Sequence, residues 1–163
     1  MAPFLTVRVR DGYARGVGSM RGAVGGLLTV VRAAGTPEMA EASLQRFLAE
    51  AAWFPDRLRP SSTLAWRPVD GRSAIAALTD RGLTVAARFR FDSDGDIVEV
   101  QVPDRPRGVR GGFVRTPWVG RFWEHHPIGG VRIPARGEVA WVIDGEERPY
   151  WRGRIIAARY ERG

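Results

Sequence analysis

From Thr63 to the end of the chain, turn signals recur about every eight to fifteen residues. Asp70-Gly71, Arg81-Gly82, "DSDGD" at 92–96 and Asp144-Gly145 punctuate runs with a period of two. In "LTVAARFRFD", Val85, Ala87, Phe89 and Phe91 fall on one face and Thr84, Ala86, Arg88 and Arg90 on the other. In "IVEVQV", Val98, Val100 and Val102 oppose Glu99 and Gln101. Period two is the signature of a half-buried strand. Short links between successive strands define an antiparallel meander, and a long meander twists and curls. "GGFVRTPWVGRFWEHHP" reads as strand, kink, strand, and "RPYWRGRIIAARY" as the closing strand.

One helix interrupts this pattern. In "GTPEMAEASLQRFLAEAAWFP", Thr36 suits the N-cap and Pro37 the first helical position. Glu38 and Glu41 lie where the helix dipole favours acid. Ala40, Leu44, Phe47, Leu48 and Ala51 form one apolar face. Pro55 cannot continue the ladder and pushes Phe54 out of the helical region, so the helix ends near Ala52 or Trp53. Ahead of it, Leu5–Arg15 alternates like a strand. The glycine-rich run Tyr13–Met20 suggests that this strand is bent or bulged, and Leu27–Ala33 reads as another. The expected architecture is α+β, mostly β. It is a strongly curved antiparallel meander, a half-barrel, with one main helix packed on the concave face.

The chain of 163 residues reads as a single domain, with no linker or composition shift. It has no cysteine, which excludes disulfides and thiolate zinc sites. No run approaches a membrane span, and "MAPFLTVRVRD" lacks a signal peptide's apolar core. A soluble protein, cytoplasmic by default, is the expectation. All 25 basic residues are arginine, against 18 acidic ones, for a net charge of +7. A nucleic-acid or acidic-lipid surface is one reading. A GC-rich genome explains the same bias, and the arginines are spread rather than clustered.

The chemical motifs are thin. Asp92, Asp94 and Asp96 have calcium-loop spacing, but Ile97 and Pro103 stand where the loop needs Gly and Glu, so a polar turn is expected. His125 and His126 are adjacent and point to opposite faces if they lie on a strand. With Glu124 they are the best groups available for an enzyme reading. There is no nucleophile elbow, and without lysine no P-loop. No catalytic residue, metal or cofactor is assigned. Arginines interleaved with aromatics can bind single strands by stacking. Strand alternation separates the two, which argues against nucleic acid.

Six stretches resemble a bacterial family of unknown function, common in actinobacteria. They are "VRVRDGYARGVGSMRG", "GTPEMAEASLQRFLAEAAWFPDRL", "AALTDRGLTVAARFRFDSDGDIVEVQVPDRPR", "TPWVGRF", "RIPARGEVAW" and "PYWRGRI". The hallmarks are LAEAxWFP, TPWxGRF and YWRGRI. The resemblance carries no activity. It implies a further N-terminal portion in relatives, and the expectation is that this chain starts where that portion would end, as a short natural version or as a fragment. The layout is similar, more distantly, to lipoprotein-carrier half-barrels of the LolA and LppX type.

Six tryptophans with these neighbours suggest a lined groove between helix and sheet. The expected binding residues for an apolar or lipid-like molecule are Trp53, Phe54, Phe89, Trp118, Phe122, Trp141 and Trp151. Arg121 or Arg152 faces a head group. The alternatives are an interaction domain with a filled core and an enzyme of unknown class. An unpaired sheet edge is the expected place for a homodimer.

Overall fold

Each turn signal after Thr63 becomes a chain reversal. The Arg81-Gly82 pair has φ of 48° and 84°, and Asp144-Gly145 has 55° and 79°. Two consecutive residues with positive φ make the tight hairpin whose twist matches that of its strands. The structure is a computed structural model. It describes the backbone of residues 7–14, 17–24 and 28–160 and the side chains of residues 35–160.

The elements are β1 (Val7–Ala14), β2 (Val17–Val24), β3 (Leu28–Ala34), α1 (Pro37–Glu50), β4 (Leu64–Asp70), β5 (Ser73–Asp80), β6 (Leu83–Phe91), β7 (Ile97–Val109), β8 (Gly112–Ile128), β9 (Val131–Ile143) and β10 (Glu146–Arg154). Strands β4 to β10 form a seven-stranded sheet in strict chain order, every pair antiparallel. The sheet is open, with β4 and β10 at its edges. Each edge strand carries a proline, Pro68 or Pro149, a residue that blunts further pairing. The expected mostly-β meander with one main helix against it is present.

The N-terminal reading needs correction. The run from Val7 to Met20 is not one bent strand. It belongs to β1 and β2, which pair from Val7↔Val24 to Ala14↔Val17. With β3 they form a separate three-stranded sheet. Glycine permits a reversal as readily as a bulge, so a glycine-rich run does not choose between them. Leu5, Arg15 and Leu27, included in the sequence reading, lie outside the described residues.

Thr36 caps α1 as expected, its hydroxyl accepting from the Met39 N–H at 3.2 Å. The α-helix ends at Glu50 and tightens into a 3₁₀ turn over Ala51–Trp53. Phe54 then leaves the helical region at φ −135°, ψ 65°. Leu44, Leu48, Ala49 and Ala52 pack against Leu64, Ala76, Val85, Ala87, Phe89, Val100, Val102, Trp118 and Phe122. Phe89 and Val100 are wholly buried. Phe47 is the exception on the expected apolar face. It is exposed, while Ser43 and Gln45 are buried. The helix touches β1 and β2 as well as β6 and β7, so most of its circumference leaves water and the simple two-faced reading shifts.

Phe89→Ala should lower stability by about 3–5 kcal/mol, because the packed layer cannot close over the hole. A thermal melt unchanged from wild type would mean that this layer is not the core.

Candidate functional site

The aromatics expected to line a groove separate into three settings. Phe89, Trp118 and Phe122 are buried in the layer between α1 and the sheet. Trp53 is half-buried at the end of that layer. Its ring meets Phe122 edge-on at 5.2 Å, and its indole N–H donates to the Pro134 carbonyl at 3.0 Å. Gly137 permits this approach, since a Cβ there would stand 3.1 Å from the Trp53 ring. Phe54 and Trp151 are exposed. Phe54 packs edge-on against Tyr160, and Trp151 against Trp53 at 6.1 Å.

Trp141 lies directly across from Trp118 on β9. Tyr150, which the sequence reading missed, stacks on Trp141 at 5.7 Å and accepts a hydrogen bond from the Trp118 indole at 2.8 Å. Between Pro149 and Trp151 the register of β10 shifts by one residue. Such a bulge sets two residues against one, so the consecutive Tyr150 and Trp151 both meet aromatics of the helix side. Arg105 completes this cluster. Its guanidinium lies 5.1 Å from the Trp118 ring and 5.3 Å from that of Trp141, and it donates to the Ala42 carbonyl of α1 at 3.1 Å. It is buried and ties helix to sheet.

Arg121 and Arg152 are not brought to these aromatics. Adjacent strand residues face opposite ways, so Arg121 is turned from Phe122. Cα pairing aligns Arg90 with Glu99, Glu99 with Arg121, Arg121 with Glu138, and Glu138 with Arg152. Charges therefore alternate across five strands. Ion pairs join Arg90 to Glu99 at 3.3 Å, Arg121 to both Glu99 and Glu147, and Arg152 to Glu138. Opposite charges in register stabilise a sheet pair. The Arg121 guanidinium, bonded to Glu147, holds that carboxyl below its ordinary value.

The enzyme-reading residues also diverge. Glu124 has φ of 58° and pairs with Arg136 at 2.8 Å. His125 is partly buried, donates to the Ile97 carbonyl at 3.0 Å, and lies 3.8 Å from Asp96. His126 is exposed and donates to the Glu124 carbonyl. Asp92 forms the expected polar turn, accepting from the Asp94 and Asp96 N–H groups at 2.9 Å each. Among the described residues, no three metal-ligating side chains cluster.

A cleft opens beside the layer. Only Glu146–Arg154 of the closing run is strand; residues 155–160 cross back over the β8–β9 turn. The Ile155 N–H donates to the Ala135 carbonyl at 2.8 Å, and the Tyr160 hydroxyl to the Trp53 carbonyl at 3.0 Å. Gly129, at φ 62°, lies under this strap, and a Cβ there would stand 2.4 Å from the Ala158 carbonyl oxygen. The cleft between strap and turn is about 620 Å³, walled by Pro127, Ile128, Ala135, Ile155 and Ile156, with His126 and Arg154 as its polar members. Its one sequence signal is "IIAA" at 155–158, an apolar run without alternation.

The described residues thus combine an open antiparallel meander, a packed helix, a partly apolar cleft and dispersed titratable groups. The chain belongs to a family of unknown function, DUF6920, whose sequence pattern matches residues 1–160. No curated protein and no solved structure matches it. Among the described residues, no helix is long and apolar enough to cross a membrane.

Two outcomes are expected. Glu147 has a folded pKa below its unfolded one, so the unfolded chain binds the extra proton as pH falls. The stability this pair contributes is complete above the unfolded glutamate pKa and is lost as pH falls through the folded value. In an NMR titration Arg121→Gln should raise the Glu147 midpoint; an unmoved midpoint would remove Arg121 as the cause. Gly129→Ala should push the strap off the turn, seen as faster hydrogen exchange at the Ile155 amide.

Proposed function

We propose that this domain is a non-enzymatic module that binds an apolar or lipid-like ligand in the cleft under the 155–160 strap. The cleft itself carries the reading. Its volume, about 620 Å³, lies in the range of small-molecule sites. Aliphatic walls suit a hydrocarbon chain, and Arg154 suits a carboxylate or phosphate at its end. The ligand sits beside the helix–sheet layer rather than within it, because Phe89, Trp118 and Phe122 fill that layer with Leu44 and Leu48. The likeness of layout to bacterial lipoprotein-carrier half-barrels is a secondary support.

That same filled layer favours the second reading, an interaction or structural domain with no internal ligand. Native mass spectrometry separates the two. Under the first reading, added long-chain fatty acid yields a one-to-one adduct. Ile128→Trp, which fills the cleft, abolishes it, and Arg154→Glu weakens it by about tenfold. A bare chain mass throughout, from folded protein, leaves the second reading standing.

A further inference from the structure

We propose that the face formed by Phe47, Phe54, Arg57, Trp151, Ile156 and Arg159 docks on an anionic lipid surface. Ile156 also borders the cleft, but the face lies on the outside of the domain at the exit of α1 and requires no ligand taken up in the cleft. Four of these side chains are large, apolar and exposed: Phe47 at 37%, Phe54 at 45%, Trp151 at 43% and Ile156 at 90%. They are linked through their neighbours. Arg57 lies over both the Phe47 ring, at 5.0 Å, and the Phe54 ring, at 5.2 Å. Phe54 meets Tyr160, Tyr160 bonds to Trp53, and Trp53 meets Trp151. Ile156 and Arg159 belong to the strap that Tyr160 anchors.

The charge of this face selects the partner. Most arginines of the seven-stranded sheet are matched to carboxylates, such as Arg90, Arg121, Arg132 and Arg152. Arg57 is held by two phenyl rings, and neither it nor Arg159 has a carboxylate partner among the described residues. Among the described residues, the acids beside this face are already paired, Glu50 with Arg46 and Asp56 with Arg59. The face is thus apolar with a positive rim, which complements the acyl boundary and the phosphates of an anionic leaflet. Aromatic rings and a snorkelling arginine suit that depth. A nucleic-acid strand fits less well. Arg57 covers one face of each phenyl ring on which a base would stack, and Ile156 offers no stacking surface.

The test is co-sedimentation of the full chain with vesicles of phosphatidylcholine alone and of equal parts phosphatidylcholine and phosphatidylglycerol. The expected result is binding to the anionic vesicles at least about tenfold tighter than to the neutral ones, and weaker at high salt. Phe54→Ser and, separately, Arg57→Glu should each reduce it several-fold, with circular dichroism showing both chains folded. Arg57→Glu changes charge on an exposed side chain and keeps the test open if Phe54→Ser disturbs the Tyr160 contact. Equal binding to both vesicle types, binding unchanged in Arg57→Glu, or tighter binding to a single-stranded oligonucleotide than to anionic vesicles would each overturn the proposal.

Discussion

The register of β8 between β7 and β9 is the constraint on which the rest of this structure depends. Seventeen residues long, β8 holds Trp118 against Trp141, Arg121 against both Glu99 and Glu138, and Phe122 against Gly137. A slip of one residue would turn Trp118 and Phe122 to water and Arg121 toward the helix. The aromatic layer and the charge row are the two faces of one pairing. Gly137 shows how closely that pairing is set, because the Trp53 ring occupies the space over it.

That division gives the arginine-rich composition a structural use. On the helix side, the Arg105 guanidinium lies over the Trp118 and Trp141 rings and bonds to the Ala42 carbonyl, so a buried cation is held without a carboxylate partner among the described residues. A planar guanidinium can do this where an ammonium cannot, since it stacks on aromatic faces while its edge donates hydrogen bonds. On the outer face, Arg90, Arg121 and Arg152 alternate with Glu99 and Glu138. Glu99 is itself buried, which two flanking guanidinium groups allow.

Much of the fold was legible. Period-two runs and glycine-containing turns predict the meander, Thr36 and Pro37 the start of α1, and Pro55 the end of its 3₁₀ extension at Trp53 rather than of α1 itself, which stops at Glu50. The separate N-terminal sheet was not legible, because the glycines of residues 12–18 suit a bulge and a reversal alike. Nor was the exposure of Phe47, which depends on α1 being contacted by both sheets. The site was less legible than the fold. Alternation predicts that Tyr150 and Trp151 face opposite ways, but the bulge in β10 overrides it. The strap was hidden because "RIIAARY" reads equally well as a continuing strand.

The sequence by itself determined the order of the strands in the meander and, along its regularly alternating runs, which face a residue occupies; the β10 bulge and the exposed Phe47 depart from it. Those properties arise from local periodicity and turn chemistry, and strands adjacent in the chain are adjacent in the sheet. Tertiary structure alone decided which large side chains pack between helix and sheet, that Arg121 pairs with Glu99 and Glu147, and that residues 155–160 fold back to frame a cleft. Each of these depends on residues far apart in the chain, as where Tyr160 reaches Trp53. A local pattern carries no information on how much volume such distant side chains leave between them.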